Sequence, residues 1–301
     1  MRPTLIVLLG PTAVGKTSLS IQLAKQLDAP IVSADSRQMF RGMEIGTAAP
    51  TDSERNGVPH FFIGVLAPDQ YYSAARYEAE ALSLLTELMK RHETIILCGG
   101  SMLYLDAVCR GIDDIPTISD AVRSTMRQRL YDEGIEALQE ELKRCDPAYH
   151  ARCDLNNSRR VVHALEVYYM TGRPYSTFLT GKTAQRPFNI VKIGLKRCRE
   201  ELFARISQRT AAMIDRGLID EARRLCAYRY CNALNTVGYK EAFQYLDGAW
   251  TIDYTREKIA RNTRVYAKKQ MTWFQRDADI HWFDAEDEKS VFQFVQKQLH
   301  H

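Results

Sequence analysis

Residues 10–17 read Gly-Pro-Thr-Ala-Val-Gly-Lys-Thr and match the GxxxxGK[ST] pattern of a phosphate-binding loop. The apolar run Leu5 to Leu9 precedes the loop and a helical pattern follows it, which is the strand-to-helix context that such a loop requires. Glycines allow backbone N–H groups to surround phosphate oxygens, Lys16 adds a point charge, and Thr17 can hold Mg²⁺. The sequence therefore predicts that a polyphosphate binds to Gly10, Pro11, Thr12, Ala13, Val14, Gly15, Lys16 and Thr17.

Asp35 ends a second apolar segment, Ile31 to Ala34, and ligands of open parallel sheets bind beyond the carboxyl ends of the strands. A carboxylate there can hold Mg²⁺ through water or accept a proton from an incoming nucleophile. The alternative is that Asp35 only caps the next turn. The exposed polar residues that follow it suit the recognition of a second substrate, and they are Ser36, Arg37 and Gln38.

Two further polar residues are candidates for the same site. Ser101 follows Gly99-Gly100 after the apolar segment Thr94 to Cys98, so its hydroxyl would point into the crevice unless it caps the next helix. Arg209 shares a helix face with Arg205, so one guanidinium could reach the phosphates; an exposed charged face is the alternative reading.

The elements that must position these residues alternate between strands and helices, which predicts an α/β fold with a parallel sheet flanked by helices. The strand signal disappears between residues 114 and 189, where amphipathic patterns predict an all-helical insertion. We therefore expect a phosphate-loop core made of residues 1–113 and 190–301, with a helical insertion domain at 114–189. The predicted strands are Leu5 to Leu9, Pro30 to Ser33, Thr94 to Cys98, Ile190 to Leu195 and Ile280 to Phe283. The predicted helices are Lys16 to Leu27, Ser73 to Arg91, Asp120 to Glu133, Ile135 to Arg144, Ser158 to Met170, Arg199 to Arg216, Ile219 to Tyr228 and Arg256 to Arg276.

The positive charge of the chain is concentrated in one predicted helix. The net charge of the 301 residues is only +4, whereas Thr255 to Arg276 has seven basic residues and one acid, a net of +6. Such a helix favours a polyanion as partner. Arg261, Arg264 and Lys268 recur at i, i+3 and i+7 and therefore share one helix face.

Composition narrows the class of protein. The apolar fraction of 45% is enough for a full α/β core, and no apolar run approaches the roughly 20 residues that span a bilayer. The seven cysteines are scattered without metal-binding spacing, so we expect reduced thiols that pack. We expect a monomeric cytoplasmic protein that does not contact a membrane.

Several motifs together resemble those of the tRNA dimethylallyltransferase family over nearly the whole chain. Asp-Ser-Arg-Gln at this distance from the phosphate loop, joined to the late Lys-Lys-Gln-Met-Thr-Trp-Phe, is highly specific. The matching segments are residues 10–17, 35–38, 45–48, 58–60, 99–104, 160–167, 238–241 and 266–274. The resemblance implies an enzyme that transfers the dimethylallyl group of dimethylallyl diphosphate to the exocyclic amine of the adenosine 3′-adjacent to the anticodon of tRNA. It also implies tRNAs that read codons beginning with U, whereas Mg²⁺ is expected from Thr17 of the phosphate-binding loop.

The resemblance also assigns roles. Asp35 matches the general base, Ser101 stands where the family usually has a threonine near the reacting amine, and Arg209 matches an arginine that contacts the diphosphate. Ala49, Asn157 and His163 stand where the family usually has Lys, Asp and Arg. The implied tRNA contacts are Asp35, Ser36, Arg37, Gln38 and Ser101 in the core; Arg159, Arg160, Val161, Val162 and His163 in the insertion; and, from charge alone, Arg123, Arg261, Arg264 and Lys268.

Two other classes would use some of these residues. A kinase of small metabolites would bind ATP in the same loop and direct Asp35 at its hydroxyl substrate, but it leaves the helical insertion and the basic helix unexplained. A nucleotide-dependent RNA-binding module would explain the basic helix and leave Asp35 without a role.

Overall fold

The structure is a computed structural model that describes residues 2–181 and 183–299. The chain divides into two compact units, one made of residues 1–110 and 185–301 and the other of residues 111–184. No helix in the described part of the chain is long and apolar enough to cross a membrane.

The first unit begins with a buried strand whose six residues are all apolar or β-branched, as expected for a strand covered on both faces. Its first half alternates strands and helices. These elements are β1 (Thr4–Leu9), α1 (Lys16–Leu27), β2 (Ile31–Ala34), α2 (Glu44–Thr47), α3 (Asp52–Arg55), β3 (His60–Phe61), α4 (Ala74–Leu88), β4 (Thr94–Gly99) and α5 (Met102–Arg110).

The second unit has only helical elements among its described residues, and they pack around Met126, Leu138, Leu142 and Leu165. The longest of them runs across Gly134, whose φ of 79° breaks the helical backbone at the position that separates the two helices predicted from sequence. The elements are α6 (Asp120–Cys145), α7 (Pro147–His150) and α8 (Ser158–Thr171), followed by a 3₁₀ turn at Tyr175–Thr177.

The boundaries of the helical unit differ from the predicted 114–189 by three and five residues. Arg186 explains the later difference, because its guanidinium pairs with Glu78 at 2.6 Å and donates to the carbonyl oxygens of Ala107 and Val108. Phe188 is buried in the core of the first unit, and Asn189 already belongs to a strand. The chain has therefore returned to the first unit by residue 185.

The first unit is completed by β5 (Asn189–Lys196), α9 (Arg199–Asp215), α10 (Leu218–Arg224), α11 (Tyr239–Leu246), α12 (Ile252–Phe274), β6 (Ile280–Asp284) and α13 (Glu288–Leu299), with 3₁₀ turns at Cys226–Tyr228 and Asn232–Leu234. Its six strands form one parallel sheet in the order β3-β2-β4-β1-β5-β6. The predicted α/β class is confirmed.

The sheet has apolar layers on both faces. Leu5, Val7 and Leu9 pack into one buried cluster, and Ile6 and Leu8 pack into the other, because successive side chains of a strand point to opposite faces. In the register of the sheet Leu9 lies beside Gly99, which in turn lies beside Ala34. The ends of β1, β2 and β4 therefore meet at one edge, and the phosphate-binding loop, Asp35 and Ser101 follow these three ends.

Candidate active site at the carboxyl ends of the strands

The phosphate-binding loop joins β1 to α1 and is closed by its own lysine. The Lys16 Nζ donates hydrogen bonds to the carbonyl oxygens of Gly10 at 2.9 Å and Pro11 at 2.8 Å. Val14 is completely buried in the apolar cluster beneath the loop. Among the described residues, the amides of Gly15, Lys16 and Thr17 donate to no other group, as expected for the first turn of a helix that awaits an anion.

Two arginines brace the outer side of this loop. Arg197 Nε donates to the carbonyl oxygen of Val14 at 2.8 Å, and Arg205 Nε donates to that of Ala13 at 2.9 Å. Ala13 has a φ of 65°, an uncommon conformation that the surrounding bonds hold in place. Arg205 is thus a support of the loop, and Arg209, one turn later on α9, is the arginine available to a ligand.

A cavity of about 750 Å³ opens between the phosphate-binding loop and the end of β2. The structure brings eight of the predicted residues together in its wall: Thr12, Ala13, Gly15, Lys16, Thr17, Asp35, Gln38 and Arg209. Other residues in its wall include Cys98, Gly99, Gly100, Gln208, Tyr266 and Gln270.

Two cations of the cavity, Lys16 and Arg209, are desolvated and have no acidic partner within hydrogen-bonding distance among the described residues. Burial lowers the pKa of Lys16 from 10.5 to about 8, although Cys98 and Asp35 oppose the shift. Burial likewise lowers the pKa of Arg209, which makes no hydrogen bond or ion pair with any residue in the described ranges. A buried charge is unfavourable until a counter-charge arrives, so this end of the cavity is built for an anion.

Asp35 presents a carboxylate with one oxygen fixed. Its Oδ1 accepts the amide hydrogens of Arg37 at 2.9 Å and of Gln38 at 3.3 Å, so it does cap the following turn. The Oδ2 atom accepts no hydrogen bond from the described residues, and Asp35 lines the cavity. The capping and functional readings of Asp35 are therefore compatible, because each uses a different oxygen.

The other residues of the 35–38 loop are held by neighbouring segments. The Gln38 side-chain amide donates to the carbonyl oxygens of Thr47 and Ala48, both at 3.3 Å, at the end of α2. The guanidinium of Arg37 donates to the carbonyl oxygen of Asn232 at 2.7 Å. These bonds fix the loop beside the cavity, which Gln38 itself lines.

Ser101 is buried and its hydroxyl turns toward the Asp35 loop rather than toward the amides of α5. It accepts the amide hydrogen of Ser36 at 2.8 Å and donates to the Ser36 hydroxyl at 3.1 Å. Its own amide donates to the carbonyl oxygen of Ala34 at 3.1 Å. Ser101 therefore connects the turn after β4 to the turn after β2, which the helix-cap alternative does not describe.

Among the predicted tRNA contacts in the helical unit, one is wrong. Val161 is fully buried in the core of this unit, so its side chain is wrong as a tRNA contact; the spacing of Val161, Ala164 and Leu165 marks the buried face of α8. Arg159 and Arg160 are exposed in the first turn of that helix. The remaining three are half-buried: Arg123, Val162, and His163, whose Nδ1 lies 3.3 Å from Glu166 Oε2.

The basic residues of α12 lie mainly on its exposed face. Arg261 and Lys268 are exposed, whereas Arg264 is half-buried, with its guanidinium 5.6 Å from the centre of the Phe203 ring. Helical spacing places them opposite Gln270, which is buried. From this face of the helix, these three side chains do not line the cavity.

Sequence reasoning did not identify Tyr266 and Gln270 as cavity residues, and it misjudged the role of Thr12. The Thr12 amide was expected to face phosphate, but it donates to Gln270 Oε1 at 2.8 Å. Burial raises the pKa of the Tyr266 hydroxyl, which keeps it neutral. The available signal was a glutamine between the apolar residues Ala267 and Phe274 on the buried face of α12, because a buried side-chain amide requires hydrogen-bond partners.

An α/β fold in which a phosphate-binding loop, two cations without an acidic hydrogen-bond partner in the described part of the chain and a carboxylate line one cavity defines a class of enzymes that act on a phosphorylated substrate. Comparison with known proteins gives the particular family. The family model described as "IPP transferase" matches residues 38–277. This chain belongs to the IPP transferase family.

Proteins of named activity are similar in sequence to this chain over nearly its whole length. The chain is 52% identical to tRNA dimethylallyltransferase 1 of Bacteroides thetaiotaomicron, over 98% of this chain and 96% of that protein. It is 36% identical to the full-length tRNA isopentenylpyrophosphate transferase of Bacillus halodurans, with a TM-score of 0.73 and coverage of 99% and 97%. A eukaryotic dimethylallyltransferase described as acting on tRNA gives a TM-score of 0.79 at 26% identity, covering 95% of this chain and 74% of that one.

Proposed function

We propose that this protein transfers the dimethylallyl group of dimethylallyl diphosphate to the exocyclic amine of the adenosine 3′-adjacent to the anticodon of tRNA, and releases diphosphate. The observation that carries the proposal is that one cavity is lined by two cations without an acidic hydrogen-bond partner in the described part of the chain, Lys16 and Arg209, and by the Asp35 carboxylate. The names of the relatives specify the substrates.

At the amine end, the nucleophile needs help because the lone pair of an adenine amine is delocalised into the ring. Asp35 accepts a proton from this amine as the new nitrogen–carbon bond forms. Its Oδ1 is fixed by the amides of Arg37 and Gln38, so the unengaged Oδ2 is the atom that takes the proton. Ser101 and Ser36 hold the turn on which Asp35 stands.

At the other end, the carbon–oxygen bond to diphosphate breaks and negative charge grows on the leaving oxygen. Lys16, Arg209 and the free amides of the loop stabilise that charge, and they do so best where water is excluded. The allylic diphosphate supplies both the electrophile and the leaving group, so the reaction requires no ATP.

Magnesium fits this site through oxygen ligands. The Thr17 hydroxyl lines the cavity and makes no hydrogen bond within the described residues, and Asp35 lines the same cavity. No group of three or more His, Cys, Asp or Glu in the described part of the chain could hold a metal by itself, which agrees with an ion bound mainly by water and substrate oxygens. Bound Mg²⁺ would neutralise charge on the diphosphate, with Thr17 as the protein ligand.

The target base must leave the anticodon loop to reach Asp35, at a cost of a few kcal/mol. We propose that Ser36, Arg37 and Gln38 contact the extruded adenosine. Phosphate contacts would come from exposed cations of both units, Arg159 and Arg160 of α8 and Arg261 and Lys268 of α12. The enzyme would act as a monomer in the cytoplasm on tRNAs that read codons beginning with U.

One assay separates this function from the kinase and RNA-binding alternatives. The protein is incubated with unmodified tRNA and either allyl-labelled dimethylallyl diphosphate or γ-labelled ATP. We expect the allyl label, and not the ATP label, to remain on the RNA. Transfer of the ATP label would support a kinase, and binding of tRNA without transfer of either label would support a non-catalytic module.

A further inference from the structure

A buried side-chain amide joins the two ends of the reaction site. Gln270 is 1% exposed and sits on α12, outside every loop that lines the cavity. Its Oε1 accepts the amide hydrogen of Thr12 at 2.8 Å, and its Nε2 donates to the carbonyl oxygen of Gly100 at 2.8 Å. Thr12 belongs to the phosphate-binding loop, and Gly100 belongs to the turn that carries Ser101.

A side-chain amide of this length suits both bonds. The Thr12 amide is a donor and the Gly100 carbonyl an acceptor, so the bridge needs one acceptor and one donor about two ångströms apart on the same planar group. A glutamate would keep the first bond and oppose the second. A methionine of similar length would leave both backbone groups without a partner.

The backbone is shaped to admit this amide. A Cβ atom added to Gly100 would lie 2.5 Å from Gln270 Nε2, so only glycine lets the turn approach the side chain this closely. From Gly100 the connection continues through Ser101, whose amide bonds to Ala34 and whose hydroxyl accepts from Ser36. The bridge therefore extends from the phosphate-binding loop to the turn that carries Asp35.

We propose that Gln270 is a positioning residue that fixes the distance between the leaving-group end and the amine end of the cavity. This inference rests on the proposed function, because it assigns opposite ends of one reaction to the two loops. Misplacement by about 1 Å can lower a rate about 10²-fold even when each substrate still binds. The phosphate-binding loop itself stays supported by Lys16, Arg197 and Arg205 when Gln270 is changed.

The test compares Gln270→Met and Gln270→Glu with wild type, and uses Thr272→Ala, an exposed change on the same helix, as the matched control. Single-turnover transfer is measured with both substrates saturating, and binding of inorganic pyrophosphate and of tRNA is measured separately. We expect Gln270→Met to lose about 10²-fold in the single-turnover rate. Pyrophosphate and tRNA affinities should change less than about fivefold, and Gln270→Glu should fall between Gln270→Met and wild type.

A double-mutant cycle with Ser101→Ala tests whether the effect passes through the turn. If Gln270 acts by holding that turn, the two losses overlap and the double variant is less impaired than the product of the single losses. Fully multiplicative losses would overturn the proposal.

A purely structural role would have a different signature. The active fraction, counted as pyrophosphate-binding sites, would fall while the rate per site remained at the wild-type value, and that result would also overturn the proposal. If Gln270→Met does not fold, the same comparison is made with Gln270→Glu and with Gly100→Ala, which displaces the amide without removing it. A failure of wild type to transfer the label would refute the proposed function instead, while the pyrophosphate measurements would still report on the loop.

Discussion

Charged residues lie half-buried or buried at two places beside the sheet, and the two places differ in whether the charges are paired. In the cavity, Lys16 and Arg209 have no acidic partner within hydrogen-bonding distance among the described residues. On β5, the Lys192 Nζ lies 2.7 Å from Asp277 Oδ2, and Arg110 binds the other oxygen of Asp277 at 2.6 Å.

This difference separates charges that bind a ligand from charges that stabilise the fold. Burial alone opposes ionisation of Asp277, yet its hydrogen bonds and the adjacent positive charges lower its pKa below the usual range. The Lys192 cluster is therefore satisfied and needs no ligand. The cations of the cavity remain unsatisfied until an anion binds, which is why a phosphorylated substrate belongs there and not beside Lys192.

The largest effect is expected for Asp35→Asn, which keeps the shape of the side chain and removes the base. We predict a fall in turnover of about 10²- to 10⁴-fold, the range typical of general-base removal. Steady-state transfer to tRNA measures it, with pyrophosphate and tRNA binding as controls that should stay near wild type. A fall of less than about fivefold would mean that the proton leaves by another route.

Lys192→Met should affect stability and not binding. Removing Lys192 leaves the half-buried Asp277 with Arg110 as its remaining close cation in the described part of the chain, and we predict a loss of about 1–3 kcal/mol in the free energy of unfolding. Urea denaturation measures this loss, and Lys196→Met, an exposed change on the same strand, should stay within about 0.5 kcal/mol. Weakened pyrophosphate binding in Lys192→Met would contradict the separation of the two regions.

Lys16→Ala should give the opposite pattern. Removing a cation that contacts the diphosphate in both the ground state and the transition state should lower kcat/KM for dimethylallyl diphosphate about 10²-fold. The free energy of unfolding should fall less than in Lys192→Met, because Lys16 has no acidic partner and the variant loses only its two hydrogen bonds to the loop carbonyl oxygens. The affinity for tRNA is the control and should stay near the wild-type value. Unchanged kinetics with the allylic diphosphate would show that the loop binds another ligand.

The pH dependence of pyrophosphate binding follows from the lowered pKa of Lys16. Below about pH 8 the ammonium is charged and binds the anion; above it the free protein loses the proton, so affinity should fall about tenfold per pH unit. Calorimetric titrations from pH 7 to pH 10 on wild type and Lys16→Arg measure it. The arginine variant retains its charge and corrects for titration of pyrophosphate itself, so identical pH profiles would be inconsistent with the assigned pKa.

The smallest effect is expected on the exposed face of α12. If Arg261, Arg264 and Lys268 contact RNA phosphates, the triple alanine variant should reduce the salt dependence of tRNA binding by somewhat under one counterion per residue. Arg264 should contribute least, because it is half-buried against Phe203. An unchanged slope, equal to that of the exposed control Lys25→Ala, would place the contacts elsewhere, and Arg159 and Arg160 would be tested next.

Features encoded by a contiguous stretch of sequence could be predicted, whereas features that depend on contacts between distant residues could not. The phosphate-binding loop is contiguous, and the apolar segments before it and before Asp35 predicted β1 and β2 to within a residue or two. The two-residue β3 and the four-residue helices α2, α3 and α7 were not predicted, because elements this short show no hydrophobic period. The longer helices α11 and α13 were not predicted either.

The parts that escaped prediction depend on distant residues. The bond from Thr12 to Gln270 crosses 258 positions, and no local pattern announces it. Val161 was assigned to RNA because its motif resembles the family's, whereas its place on α8 puts its side chain in the core. Motif identity predicted which segments matter, and packing decided which atoms within them are available.

The mass of the nucleoside on the 3′ side of the anticodon tests the central claim most directly. Unmodified tRNA is incubated with the protein and unlabelled dimethylallyl diphosphate, digested, and analysed by mass spectrometry beside a reaction with Asp35→Asn. We predict an adenosine in which one dimethylallyl group has replaced one hydrogen, with far less of it in the variant reaction. An unmodified adenosine at this position in the wild-type reaction, with pyrophosphate and tRNA both bound, would contradict the account.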